Sequence, residues 1–209
     1  WDQTHEIDIL AKTKSGKVIA GAWKISKSKM KKSDLRKLRP QMQIIFQDPY
    51  ASLNPRMTVG NIISEGMVYH QIVPKSQKNA RVEELLKLVG LNPIFSQRFP
   101  HEFSGGQRQR VAIGRTVVLE PDCILLDEPT SALDVSVQKQ VLALLASLQQ
   151  KRKLSYLFIS HDLRVVRALS HRVSVMREGK VIEQGDVDEV FDNPKHDYTR
   201  ALAPASLYT

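Results

Sequence analysis

The chain of 209 residues has a single cysteine, Cys123, so no disulfide can close within it. Placed in an apolar run, that thiol reads most simply as a small buried hydrophobe. No Cys/His cluster stands at metal-ligand spacing, which argues against a structural zinc site. No apolar stretch is long enough to cross a bilayer, and no secretory leader pattern is recognisable, so the composition reads as that of a soluble, cytosolic chain. There are no internal repeats, and no low-complexity tract beyond one lysine-rich segment. The length nonetheless allows a sizeable core.

Acidic residues are nearly missing from one region. Residues 12–39 hold eleven Lys or Arg against Asp34 alone, giving +10 of the net +9, so the remainder sums to −1. Such a run suits nucleic acid or an anionic membrane surface, but a solvated face is the simpler reading. Trp23 is the only aromatic interleaved with it, too little for a base-stacking surface.

The most informative residues lie in the middle of the chain. Phe103-Ser104-Gly105-Gly106-Gln107 has the pattern of a helix start: Ser104 can cap, and Gln107 three residues on completes a capping box. Gly105 and Gly106 remove side chains from the first turn, so its amides can approach an anion that the helix dipole favours. Some twenty residues later, Cys123-Ile124-Leu125-Leu126 is a short apolar strand ending in Asp127 and Glu128. At the carboxyl end of a buried parallel strand, Asp127 suits Mg²⁺, and Glu128 suits orienting or deprotonating water. A second apolar strand, Leu154 to Ser160, ends in His161. Met42 to Phe46 forms a third, ending in Gln47, whose amide can reach Mg²⁺ and water.

The rest is legible from hydrophobic spacing. Turns are expected at Pro49 and Asn54-Pro55, and helices over Thr58 to Tyr69 and Gln77 to Leu88. The latter stops at Gly90-Leu91-Asn92-Pro93. A helix continues from Ser104 to Val118, and an amphipathic helix runs from Val135 to Gln149, capped by Asp134. A strand pair, Arg172 to Met176 and Lys180 to Glu183, turns at Glu178-Gly179. A short helix capped by Asp186 follows.

In this order the motifs resemble those of the ATP-binding subunits of ABC transporters. Gln47 matches the Q-loop, Ser104 to Gln107 the signature, Asp127 and Glu128 the Walker B pair, Ser131 to Asp134 the D-loop, and His161 the switch histidine. Gln47 to Arg56, Pro100 to Phe103 and Asn193 to Leu202 narrow the resemblance to the oligopeptide/dipeptide importer branch, which usually has Pro where Asp197 stands. It covers about residue 15 onward; residues 1–14 carry no motif of the branch.

The resemblance implies an α/β fold: an ABC-type ATPase domain, here a partial P-loop NTPase core with a parallel sheet, plus a small helical subdomain. It divides the chain into residues 1–46, an N-terminal remnant; 47–118, the Q-loop and helical subdomain through the signature helix; and 119–209, the remaining core and tail. It also implies that two such domains meet head to tail around two ATP molecules. Ser104, Gly105, Gly106, Gln107 and Asp134 would then face nucleotide held by the partner. Glu128 would polarise water, Asp127 and Gln47 would hold Mg²⁺, and His161 would stabilise developing charge. The implied partners are ATP, a second ATPase subunit and transmembrane permease subunits. The implied place is the cytoplasmic face of the membrane, with no direct nucleic acid contact.

One family element is missing from this order. A Walker A loop needs G-x-x-x-x-G-K-[ST] to cradle phosphates. Ser15-Gly16-Lys17-Val18 is the nearest stretch, with Ala11 at the first glycine and Val18 at the hydroxyl. It reads better as the start of a hairpin strand, Ser15 to Ala20, with Lys24 to Ser26 at the strand's end. The expectation is therefore a Walker A lying upstream, with a diverged nucleotide loop as the other reading, and a chain inactive alone. Two alternatives stay open: a non-catalytic partner offering only signature and Walker B faces, and a soluble ABC-type ATPase acting on nucleic acid.

Overall fold

The computed structural model describes residues 7–12, 18–23 and 38–207. Most of the basic segment 12–39 lies outside them, as do Ser15 to Lys17 and Lys24 to Ser26. Strands β1 (Ile7–Lys12) and β2 (Val18–Trp23) pair antiparallel, Lys12 opposite Val18. The chain divides into two compact units, residues 1–157 and 158–209.

In the first unit, β3 (Met42–Ile45) lies parallel to β4 (Cys123–Asp127), with Ile45 abreast of Leu126. The beginning of β5 (Ser155–Ile159) extends the sheet in the order β3-β4-β5, with Ser155 N donating to Asp122 O at 3.0 Å. Ile124 and Leu126 are fully buried, as the apolar run predicts, and Cys123 is buried with them. Burial pushes the Cys123 thiol pKa up, making it a poor nucleophile.

Five α-helices accompany this sheet among the described residues. One turn, α1 (Pro49–Ser52), follows Gln47; α2 (Val59–Tyr69) and α3 (Lys78–Leu88) form the helical part; α4 (Gly105–Val117) and α5 (Val135–Arg152) flank β4 in sequence. The turn expected at Pro49 is thus a helical one. Asp48 Oδ1 accepts from Ala51 N at 3.2 Å, and proline is tolerated in a first turn, where its missing N–H has no helical partner. Helix α3 ends as its sequence predicts: Gly90 takes a φ of 72°, and Leu91 N closes back on Leu86 O at 2.8 Å, the bond of a glycine C-cap.

Helix α4 joins these parts. Gly106 and Gln109 are buried in its first turns, and from Val111 the burial is unbroken through Gly114 and resumes at Thr116 and Val117, so the second half of the helix is enclosed on more than one face. Arg110 Nη1 donates to Gly90 O at 3.3 Å, at the end of α3, and its Nη2 to Gln140 Oε1 of α5 at 2.8 Å. Arg115 Nη1 donates to Ser52 O of α1 at 2.6 Å. Burial lowers the Arg115 pKa, with Glu65 opposing the shift.

The second unit contains α6 (Leu163–Leu169), a hairpin of β6 (Arg172–Arg177) and β7 (Lys180–Asp186), α7 (Val187–Asp192) and α8 (Asp197–Leu207). The hairpin turns at Glu178 and Gly179, whose φ values of 54° and 76° are those of a two-residue turn matching strand twist. Val166, Val175, Val187, Val190 and Phe191 form its core. Asp186 stands at the cap position of α7 but makes no side-chain cap bond. The Glu183 carboxylate instead organises the segment before α8, accepting from Lys195 N at 2.8 Å and His196 N at 3.1 Å.

Candidate functional site

The carboxyl ends of β3 and β4 bring two of the expected residues together. Ile45 is abreast of Leu126 in parallel register, so Gln47 and Glu128 follow the two strands at the same offset. Gln47 Nε2 donates to Glu128 Oε2 at 3.0 Å across 81 residues of sequence. Asp127 is the last residue of β4, half-buried beside them in sequence. Glu128 itself has a φ of 43°, which turns the chain sharply off the strand. For a residue with a side chain this conformation costs about 1–3 kcal/mol and persists only where neighbours enforce it.

Those neighbours are visible. Ser131 N and Ser131 Oγ both donate to Glu128 O, at 3.2 and 3.1 Å, and Leu133 N donates to Thr130 O at 3.1 Å. Gln109 Nε2 of α4 donates to Pro129 O at 2.7 Å, and Gln138 Nε2 of α5 to Thr130 Oγ1 at 3.3 Å. The acidic turn is held between the two helices.

The start of α4 has the form its sequence predicts. Ser104 Oγ accepts from Gln107 N at 3.4 Å, and Gln107 Oε1 accepts from Ser104 N at 3.0 Å, a reciprocal capping box. Ser104 is exposed and Gly105 half-buried, while Gly106 is buried. A Cβ on Gly106 would collide with Val137 Cγ1 of α5, so the second glycine also serves packing. That role is absent from the sequence reading, which gives both glycines to anion approach.

Asp134, at the start of α5, accepts from Val137 N at 3.0 Å and Ser136 Oγ at 2.8 Å. The Val137 amide, then the Ser136 hydroxyl, hold its carboxyl below the ordinary range. His161 belongs to the second unit, exposed after β5. The next residue, Asp162, caps α6 by accepting from Arg164 N at 3.0 Å. Burial pushes the Asp162 carboxyl pKa up, but hydrogen bonds from the Arg164 side chain and backbone outweigh it and leave the group lowered.

Gln109, Arg110, Arg115 and Gln138 are absent from the sequence-derived site. Gln109 had a signal: it falls at the spacing of α4's buried residues, where a polar side chain needs a partner. Nothing in the sequence marks Pro129 as that partner.

A β-strand ending in paired acids, a facing glutamine and a glycine-started helix define a class. The sequence pattern of the ABC transporter family matches residues 7–131, more than half of the chain. The chain belongs to the ABC transporter family. The match begins at residue 7, so part of the stretch ahead of residue 15 is also family-like. The chain is similar to the oligopeptide transport ATP-binding protein OppF of Bacillus subtilis, 53% identical over 166 residues, 79% of this chain and 54% of that protein. It is similar to the peptidoglycan transport ATP-binding protein YejF of Agrobacterium fabrum, 56% identical over 174 residues, 83% of this chain and 32% of that protein. Among solved structures, cbiO1 from Clostridium perfringens, part of the ABC transporter complex cbiONQ, aligns with TM-score 0.70 at 34% identity, covering 78% of this chain and 64% of that one. The fold is that of an ABC ATPase, a P-loop NTPase core with a helical part. The chain spans 32% and 54% of the length of these two curated relatives.

Proposed function

We propose that the chain is part of the ATP-binding and ATP-hydrolysing motor subunit of an importer for peptides or related solutes and that, without the Walker A pattern, it is inactive alone. It works at the cytoplasmic face of the membrane, beside transmembrane permease subunits and a second ATPase domain. The hydrogen bond between Gln47 and Glu128 across the ends of two parallel strands carries this reading. A carboxylate paired with an amide at the carboxyl ends of parallel strands, the edge where open α/β sheets bind ligands, supports it. The names of relatives such as the dipeptide transport ATP-binding protein DppF of Lactococcus lactis, 50% identical over 174 residues, support the solute class.

ATP is the substrate. Water attacks the γ-phosphorus while its proton passes to Glu128, and the bond from that phosphorus to the bridging oxygen breaks to release ADP. Gln47 orients the carboxylate through Oε2 and links its state to the helical part through α1. His161 holds a γ-phosphate oxygen as charge develops on it. The starting amides of α4, with Ser104, face the terminal phosphate of nucleotide on the second domain, so each ATP is enclosed by two chains. Preorganised donors of this kind supply most of the stabilisation in phosphoryl transfer. Mg²⁺ fits the donors present, because Asp127 and Gln47 offer the oxygens that a hard cation takes. When bound, Mg²⁺ supplies charge neutralisation at the phosphates.

In the assembled transporter, Glu128→Gln is expected to lower ATP hydrolysis by about 10²–10⁴-fold while ATP binding persists, since general-base contributions have that size. Unchanged turnover would remove Glu128 from the mechanism.

A further inference from the structure

We propose that Gln109 is a positioning residue for Glu128, acting by gripping the Pro129 carbonyl from the helix that begins at Ser104. Gln109 is 0% exposed, and its Nε2 donates to Pro129 O at 2.7 Å. A carbonyl can only accept, so this contact fixes which end of the amide faces the turn. At the other end Oε1 is buried and has no hydrogen-bond partner among the described residues. A buried amide with its acceptor unmet is a poorer core residue than an apolar side chain of the same length. Packing alone therefore does not account for glutamine here. The bond it makes does: it lands on the residue next to Glu128, whose φ of 43° must be enforced from outside.

The same bond has a second consequence, which rests on the proposed function. Ser104, at the start of α4, faces nucleotide on the neighbouring domain, whereas Glu128 acts on the nucleotide of its own. Gln109 lies five residues into the helix that Ser104 caps. A displacement of α4 on phosphate contact is passed to the Glu128 turn through Pro129. Gln109 thereby ties occupancy of one ATP site to the alignment of the base in the other.

Two readouts test this separately. In the full chain, Gln109→Met keeps length and removes the donor. Amide exchange in residues 130–134 is expected to quicken about tenfold while α2 and α3 keep their rates. In the assembled transporter, kcat is expected to fall about tenfold with KM for ATP little changed, the pattern of misaligned chemistry rather than lost binding. If Gln109→Met does not fold, Gln109→Asn, one methylene too short to reach Pro129, is expected to give the same selective exchange. Exchange in 130–134 that is unchanged, or no faster than a general increase across α2 and α3, overturns the proposal, as does an unaltered kcat in a folded variant. Should the unsubstituted transporter hydrolyse no ATP, the proposed function fails, and the exchange measurement still decides whether Gln109 positions the turn.

Discussion

The start of α4 and the end of β4 are built by different means, although both belong to the first unit. The capping box of the first is local, with Ser104 and Gln107 satisfying each other's backbone, although Gly106 between them packs on Val137 of α5. Distant residues make the second. Gln47 reaches Glu128 across 81 positions, Gln109 reaches Pro129 across 20, and Gln138 reaches Thr130 across 8. A local device survives small shifts in packing. A carboxylate held in a left-handed turn by side chains from α4, α5 and β3's end does not. The acidic turn therefore depends on distant packing at more points than the capping box does.

The contrast can be broken most strongly at Gly106. Gly106→Ala puts a methyl into Val137, and overpacking of this kind costs about 1–3 kcal/mol. The midpoint of thermal or denaturant unfolding is expected to drop accordingly. Val137→Ala in the same chain is expected to recover part of the loss, and no recovery would place the cause elsewhere. Ser104→Ala removes one arm of the capping box and is expected to cost about 1 kcal/mol, read by the same unfolding curves. Its effect should leave the Gln47–Glu128 end unaltered in amide exchange, sharpening the distinction between the two.

The smallest effect is expected at Asp134. Its carboxyl is held below the ordinary value of 3.8, so its contribution is fully present above that pH and is lost as the pH falls through the lower folded value. Asp134→Ala should therefore have a lower Tm than the unsubstituted chain at neutral pH. The gap should narrow as the pH drops below about 3.8, the ordinary carboxyl value. A gap independent of pH would mean that the charge plays no part in the cap.

What the sequence made legible follows the same division. The capping box, the strands Met42–Ile45 and Cys123–Asp127, the Gly90 stop and the hairpin turn at Glu178-Gly179 depend on neighbours in the chain, and all are found. Pro49 reads as a turn from its own properties but opens a helical turn, because Asp48 accepts from Ala51 N. The packing reason for Gly106 and the partner of Gln109 were not legible. Both depend on which surface of α5 or of the acidic turn lies opposite, and no local propensity encodes that. Register brings the two ends near each other: Ile45 pairs with Leu126, and Gln47 and Glu128 follow at the same offset and meet through a hydrogen bond.

The most direct measurement titrates a fluorescent ATP analogue, with Mg²⁺, onto an intact nucleotide-binding partner domain, with and without this chain. If the start of α4 completes a neighbour's site, adding the chain should tighten binding by about tenfold or more, on the order of the coupling energies seen between sites. Ser104→Arg, which fills that face with a side chain, should abolish the gain. Equal affinity with and without the chain, or a gain untouched by Ser104→Arg, would contradict the account.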